Sequence, residues 1–214
     1  MIELYGTSHV SQESIDKIDK VLEDDRFEIV ALELDSQRLH ALQQQGQTDS
    51  SGAPIFLRLL RYFQRYIGRR TGVMPGEEMI HAYNKAMETN RDVALIDQDI
   101  RVTFHRLSSL SRKEKVKAGF SMVGGLIFGE KFDVSKIPEE EMIDEMTEQL
   151  EESFPGLHQV LIEERNEYMY NALKQLQENN PEKDIAAFVG AGHRKALEEM
   201  LNESDRQSSL EEHK

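Results

Sequence analysis

DIAAFVGAGH, residues 184–193, and MIELYGTSH, residues 1–9, decide the fold. Each begins with a short apolar run bounded by turn formers, and such a run reads as a buried strand. Each ends in Gly-x-x-His: Gly6-Thr7-Ser8-His9 near one end of the chain, Gly190-Ala191-Gly192-His193 near the other. Either histidine alone could be a surface loop residue. Both, however, stand just past the carboxyl end of a strand, and in open α/β sheets that edge is where ligands bind. Two imidazoles from opposite ends of the sequence can meet there.

Two further strands lie between them, FEIVALELD (27–35) and DVALID (92–97). Ser11 reads as the N-cap of a helix with Ile15, Ile18, Val21 and Leu22 on one face. A short helix from Asp35 to Gln45 is ended by Gly46, and a polar loop follows. Pro75 opens a helix to Asn90 that turns Met79, Ile80, Tyr83, Ala86 and Met87 inward. Strands alternating with helices predict parallel βαβ connections. The expectation is an α/β fold with a mostly parallel central sheet and flanking helices. No strand pattern occurs between about residues 99 and 180, so that stretch reads as a helical layer or cap. The domain is expected to span 1–202, with residues 203–214 a disordered polar tail.

Composition excludes several classes. Forty acidic against 26 basic residues give a formal charge of −14, a surface that repels phosphate backbones and makes nucleic acid an unsuitable partner. The absence of cysteine rules out disulfides, thiolate zinc sites and Cys nucleophiles, and suits a reducing compartment such as the cytoplasm. The chain enters a strand at once, without a basic-then-apolar leader. The weakly polar stretch Ala118 to Gly129 falls short of the ~20 apolar residues a membrane span needs. A soluble protein is expected, with a homo-oligomer compatible with the reading. Against the acidic background, IFLRLLRYFQRYIGRR (55–70) is a basic island. It reads either as a solvated amphipathic helix with snorkelling arginines or as a lid over a site.

The strand ends carry polar residues. Glu33 sits inside an apolar run, and Asp97 and Asp99 follow the third strand. A buried carboxylate is costly unless it is paired or binds a cation. Either Glu33 and Asp97 cap the following helices or pair with a nearby arginine such as Arg38 or Arg101, or they belong to a site. A long helix from Pro155-Gly156 to about Gln177 shows an inward stripe of Leu157, Val160, Leu161, Tyr168 and Leu176. Glu164 falls within that stripe and Arg165 borders it. Charge on a core stripe is out of place, so either the pair makes an internal salt bridge or the helix lays both residues under the sheet edge. Two histidines with one or two carboxylates form an N/O ligand set suited to Zn²⁺, Mn²⁺, Co²⁺ or Fe²⁺. Without metal, the same groups could act as a histidine base oriented by a carboxylate, with Arg165 stabilising an oxyanion.

Six segments in order, GTSHVSQESI (6–15), VALELDSQR (30–38), PGEEMIHAYNKA (75–86), LIDQDIRVT (95–103), ERNEYM (164–169) and VGAGH (189–193), resemble the TraB/PrgY family. That family includes a pheromone-shutdown protein and is related to the Tiki metalloproteases. The resemblance covers roughly residues 2 to 200 and implies an α/β domain akin to the erythromycin-esterase and ChaN-like group. It implies that His9, Glu33 and His193 are the central polar residues, with Gly6 and Gly190 opening the paired motifs. It also matches Gly76, Glu78, Asp97, Asp99 and Thr103, and Glu164, Arg165 and Asn166, to the remaining motifs. Tiki proteins imply a divalent-metal-dependent protease using the Gly-x-x-His pair. Many family members carry membrane helices after the shared domain, a feature not seen in this sequence.

The leading expectation is therefore a metal-dependent, peptidase-like hydrolase, with His9, Glu33 and His193 holding Mn²⁺, Co²⁺ or Zn²⁺ or activating water. Arg165 is expected to polarise the scissile carbonyl, and Glu164 to orient Arg165 or a histidine. The alternatives are a metal-independent esterase-like hydrolase and a protein that captures a peptide or small molecule without turnover.

Overall fold

Four parallel strands form the centre: β1 (Ile2–Thr7), β2 (Phe27–Leu32), β3 (Asp92–Leu95) and β4 (Asp184–Gly190), in the order β1-β4-β2-β3. The computed structural model describes residues 1–7, 12–43, 76–117 and 139–211. His9, Ser11, Pro75, the basic stretch 55–70 and the glycine-rich stretch 118–129 lie outside those residues. The helices are α1 (Gln12–Leu22), α2 (Ser36–Gln43), α3 (Glu77–Glu88), α4 (Ile100–Ser109), α5 (Glu139–Ser153), α6 (Pro155–His158), α7 (Glu164–Asn179) and α8 (Ala191–Glu211). Between α6 and α7, residues Gln159–Glu163 form a π turn.

The sheet is buried on both faces, which is why β2 and β4 read as continuous apolar runs rather than alternating ones. Successive side chains of β4 still point to opposite sides. Ala186 and Phe188 pack with Ile18, Leu22, Met79, Ala82 and Ala86 from α1 and α3. Ile185, Ala187 and Val189 pack with Met169, Leu173 and Leu197 from α7 and α8. The result is three layers, helix on sheet on helix, the α/β class expected from the sequence. Among the described residues no strand lies between β3 and β4, and no helix is long and apolar enough to cross a membrane.

Two details differ from the sequence reading. The last helix does not give way to a disordered tail at Asn202 but continues to Glu211. Residues 202–211 contain no Gly or Pro, so nothing in them breaks a helix, and Lys174 of α7 bonds Ser204 at 3.1 Å. The stripe of α7 is also turned. Met169 and Leu173 are buried while Tyr168 is exposed. The π turn ahead of α7 inserts one extra residue into the helical phase, a rotation of about 100° for everything after it. A single 3.6-residue period drawn through both halves therefore misplaces the second half.

Register brings all four strand ends together. Thr7 pairs with Gly190, and Leu32 with both Phe188 and Leu95. The two Gly-x-x-His motifs thus open on neighbouring strands. At Gly6 the chain is closely approached: a Cβ there would meet the Arg194 side chain at 3.0 Å, so that side chain would have to give way.

One residue before Gly6, Tyr5 stacks on Phe188 with ring centroids 5.5 Å apart and donates to Glu3 at 2.6 Å. Burial and then the Glu3 carboxylate push its phenol up from 10.0 to about 12. The folded state keeps a proton that the unfolded chain has lost, so this contribution to stability is complete below the unfolded value and fades as pH rises from about 10 to about 12. Denaturant unfolding across that range should show the decline in the parent and a shallower one in Tyr5→Phe.

Candidate functional site

Glu33 stands one residue past β2, and its backbone N–H donates to Phe188 O at 3.0 Å, so the main chain is still tied to β4. The side chain is 1% exposed. Its Oε2 accepts the Gly190 N–H and its Oε1 accepts Arg165 Nη2. Asp97, two residues past β3, is nearly as buried. It accepts Arg165 Nε at 3.0 Å and Nη2 at 2.8 Å, and Arg38 Nη1 at 2.7 Å. Two carboxylates and two guanidiniums thus close a network across the strand ends. Burial alone would pull the Arg165 pKa down, but the charges of Glu33 and Asp97 outweigh it and hold the group above its ordinary value.

Arg165 reaches this position because of the π turn. The inserted residue rotates Arg165 and Asn166 toward the sheet, in line with Met169 and Leu173. It rotates Glu164 outward, where it pairs with Arg106 of α4 rather than with Arg165 or a histidine. Single-turn π insertions inside α-helices are frequent at functional sites. Arg165 is not a free donor either, since Glu33, Asp97 and Leu161 O engage it. Its role in this arrangement is to hold two carboxylates in place.

His193 lies in the first turn of α8 and is buried. Its Nδ1 is 2.7 Å from Asn166 Oδ1. An amide oxygen only accepts, so with Asn166 Oδ1 facing the ring Nδ1 carries a proton. Nε2 is 3.6 Å from Glu33 Oε1. The structure therefore joins Glu33, Asp97, Arg165, Asn166, His193 and Gly190 at one sheet edge.

Other candidates stand apart from that group. Asp99 caps α4 by accepting Arg101 N at 2.8 Å and pairs with the Arg101 guanidinium, which holds its carboxyl down at about 2. Glu78 is fully buried near the start of α3, where it accepts Gly76 N at 3.1 Å beside the positive φ of Gly76. Thr103 is buried and accepts from Gln98 at 3.2 Å. Of the arginines the sequence offered to Glu33 and Asp97, Arg38 pairs with Asp97; Arg101 pairs with neither but with Asp99, and Glu33 pairs with Arg165.

Asp35 was missed as a member of the edge. Asp35 is 4% exposed. Its Oδ1 caps α2 through Gln37 N and Arg38 N, while Oδ2 is buried and has no hydrogen-bond partner among the described residues. The signal for the cap is the Asp-Ser pair before the helix; nothing in the sequence announces an orphaned oxygen.

This geometry can be set beside known proteins. A family model described as TraB/PrgY/gumN matches residues 1–207. The chain belongs to the TraB/PrgY/gumN family. It is 27% identical to an uncharacterised protein of Methanocaldococcus jannaschii over 98% of this chain and 55% of that protein. It is 26% identical to a TraB domain-containing protein of Bos taurus and 25% identical to one of Homo sapiens, each over 81% of this chain and 52% of the relative. The chain spans about half the length of the curated relatives it matches. Every described residue of the edge network in this TraB/PrgY/gumN chain lies within the matched region.

Removing one partner of a buried ion cluster leaves the others uncompensated, at a cost of about 3–5 kcal/mol. Arg165→Met should therefore lower unfolding free energy by that order. Glu164→Gln, in a half-buried pair with the exposed Arg106 outside that cluster, should change it by less, roughly 1 kcal/mol. Equal effects in chemical denaturation would contradict the rotation of α7 described here.

Proposed function

We propose that this protein is a hydrolase of peptide or ester bonds whose reactive centre is the pair His193 and Glu33. The observation that carries the reading is the 3.6 Å separation of His193 Nε2 and Glu33 Oε1, with the imidazole tautomer set by Asn166. A buried imidazole beside a carboxylate can take a proton from water and return it to a leaving group. Asn166 holds the ring in place, and Arg165 with the Gly190 N–H holds Glu33.

A divalent ion fits the same two atoms. With bonds of about 2.1 Å, neighbouring ligands of a tetrahedral ion stand about 3.4 Å apart, close to the observed separation. His193 Nε2 and Glu33 Oε1 would hold it, with His9 as the third ligand implied by the paired motif. A bound ion of this kind supplies Lewis acidity and a water of lowered pKa. A histidine ligand that donates its other N–H to an oxygen is the usual arrangement around such ions.

The metal-free alternative also has an observation in its favour. Glu33 and Asp97 are already balanced by Arg165 and Arg38, and Oε1 already accepts from a guanidinium. In this second reading His193 is the base and no ion is needed.

Turnover of a panel of peptide and ester substrates, before and after chelation, separates the readings. Both expect His193→Ala to abolish hydrolysis. The metal reading expects chelation to do the same and Mn²⁺, Co²⁺ or Zn²⁺ to restore the rate. Asn166→Ala should lower kcat by about 10–100-fold with little change in KM and move the acid limb of the pH profile. A parent that turns over no peptide or ester, or a His193→Ala variant as active as the parent, would remove the hydrolase assignment.

A further inference from the structure

We infer that the chain carries a second divalent-cation site, built from Glu151, His158 and Glu163 and separate from the sheet edge. One ligand atom from each of the three lies within 4.8 Å of the others. The His158 side chain is only 10% exposed, and among the described residues its ring makes no hydrogen bond; its polar contact is Glu163 Oε1, 3.4 Å from Nδ1. A largely buried imidazole that stands within ligand distance of two exposed carboxylates, and whose described polar contact is one of them, is placed to ligate an ion with both.

The π turn is what makes the set. His158 and Glu163 are five residues apart. On an α-helix, positions five apart point about 140° away from each other. A π turn closes its ring from i to i+5 and brings such positions to nearly one face. Gln159–Glu163 is that turn. Glu151 arrives from the last turn of α5, just before the chain bends through Phe154-Pro155. Both glutamates are exposed, so they can close on an ion whose bonds are about 2.1 Å. One imidazole nitrogen and two carboxylate oxygens, with open positions for water, suit Zn²⁺, Co²⁺ or Mn²⁺ rather than a cage for Ca²⁺.

The site has a positional consequence. Glu163 immediately precedes Glu164 and Arg165. An ion bridging Glu151, His158 and Glu163 clips α5 to the π turn and fixes the helical phase that aims Arg165 at Glu33 and Asp97. It acts on the sheet edge by holding this register, without touching the edge itself.

The test is a titration of tag-free, chelator-treated protein with Zn²⁺ and Co²⁺ by calorimetry, alongside thermal melting. His193→Ala removes any ion held at the sheet edge and isolates the second site. That variant is expected to bind one equivalent and to melt at a higher temperature with metal than without. Adding Glu163→Gln, an exposed and shape-preserving change, should weaken binding at least about tenfold and cancel the melting shift. His158→Ala in the same background should do likewise. No uptake by His193→Ala, or uptake indifferent to Glu163→Gln, would overturn the site.

Discussion

The guanidinium of Arg165, lodged between Glu33 and Asp97, is the interaction on which the functional edge depends. Two carboxylates at the ends of neighbouring strands would repel each other and would be costly to bury alone. One planar cation spanning both, with Arg38 behind Asp97, removes that cost and fixes the orientation of Glu33. The Gly190 N–H then takes the remaining Glu33 oxygen. What results is a rigid acidic wall facing the one imidazole of the described edge.

The backbone supplies this cation in an indirect way. A regular helix from Pro155 onward would present Glu164, not Arg165, to the sheet, and would place a third carboxylate against the first two. The π turn at Gln159–Glu163 prevents this by shifting the phase one residue. The shift also lets Asn166 reach His193, so a single irregularity sets both the charge balance and the imidazole tautomer. Irregular helical hydrogen bonding is less favourable than regular α-helix, and here the ion network and the buried Met169 and Leu173 offset it.

Much of the edge was legible in the sequence because its chemistry conflicts with its surroundings. Glu33 inside FEIVALELD, Asp97 after DVAL, and Arg165 beside an apolar stripe all break the local hydrophobic pattern, and all three meet. His193 was legible from the strand-then-Gly rhythm of DIAAFVGAGH. What was not legible depends on phase and closure. No residue in QVLIE announces a π turn, so Glu164 was given a role at Arg165 or a histidine and Tyr168 an inward face; Glu164 instead pairs with Arg106 and Tyr168 is exposed. Arg38 was visible only as one of two possible partners, because the choice between Arg38 and Arg101 is made by strand register. The continuation of α8 past Asn202 was hidden because a polar helix and a polar tail share a composition.

The strand order has a consequence for how the protein comes into being. Of the four described strands β1 is made before the others, yet its neighbour in the sheet is β4, made after them. That strand must enter between β1 and β2, which are themselves joined only through it. Until residue 190 is available, Glu33 lacks the amide that holds it and His193 does not exist. Such long-range closure slows folding, since the entropy of a long loop is lost before any contact compensates for it. It also works as a timer: the nascent chain carries no assembled edge, and whatever chemistry that edge performs is switched on only when the α/β domain is whole.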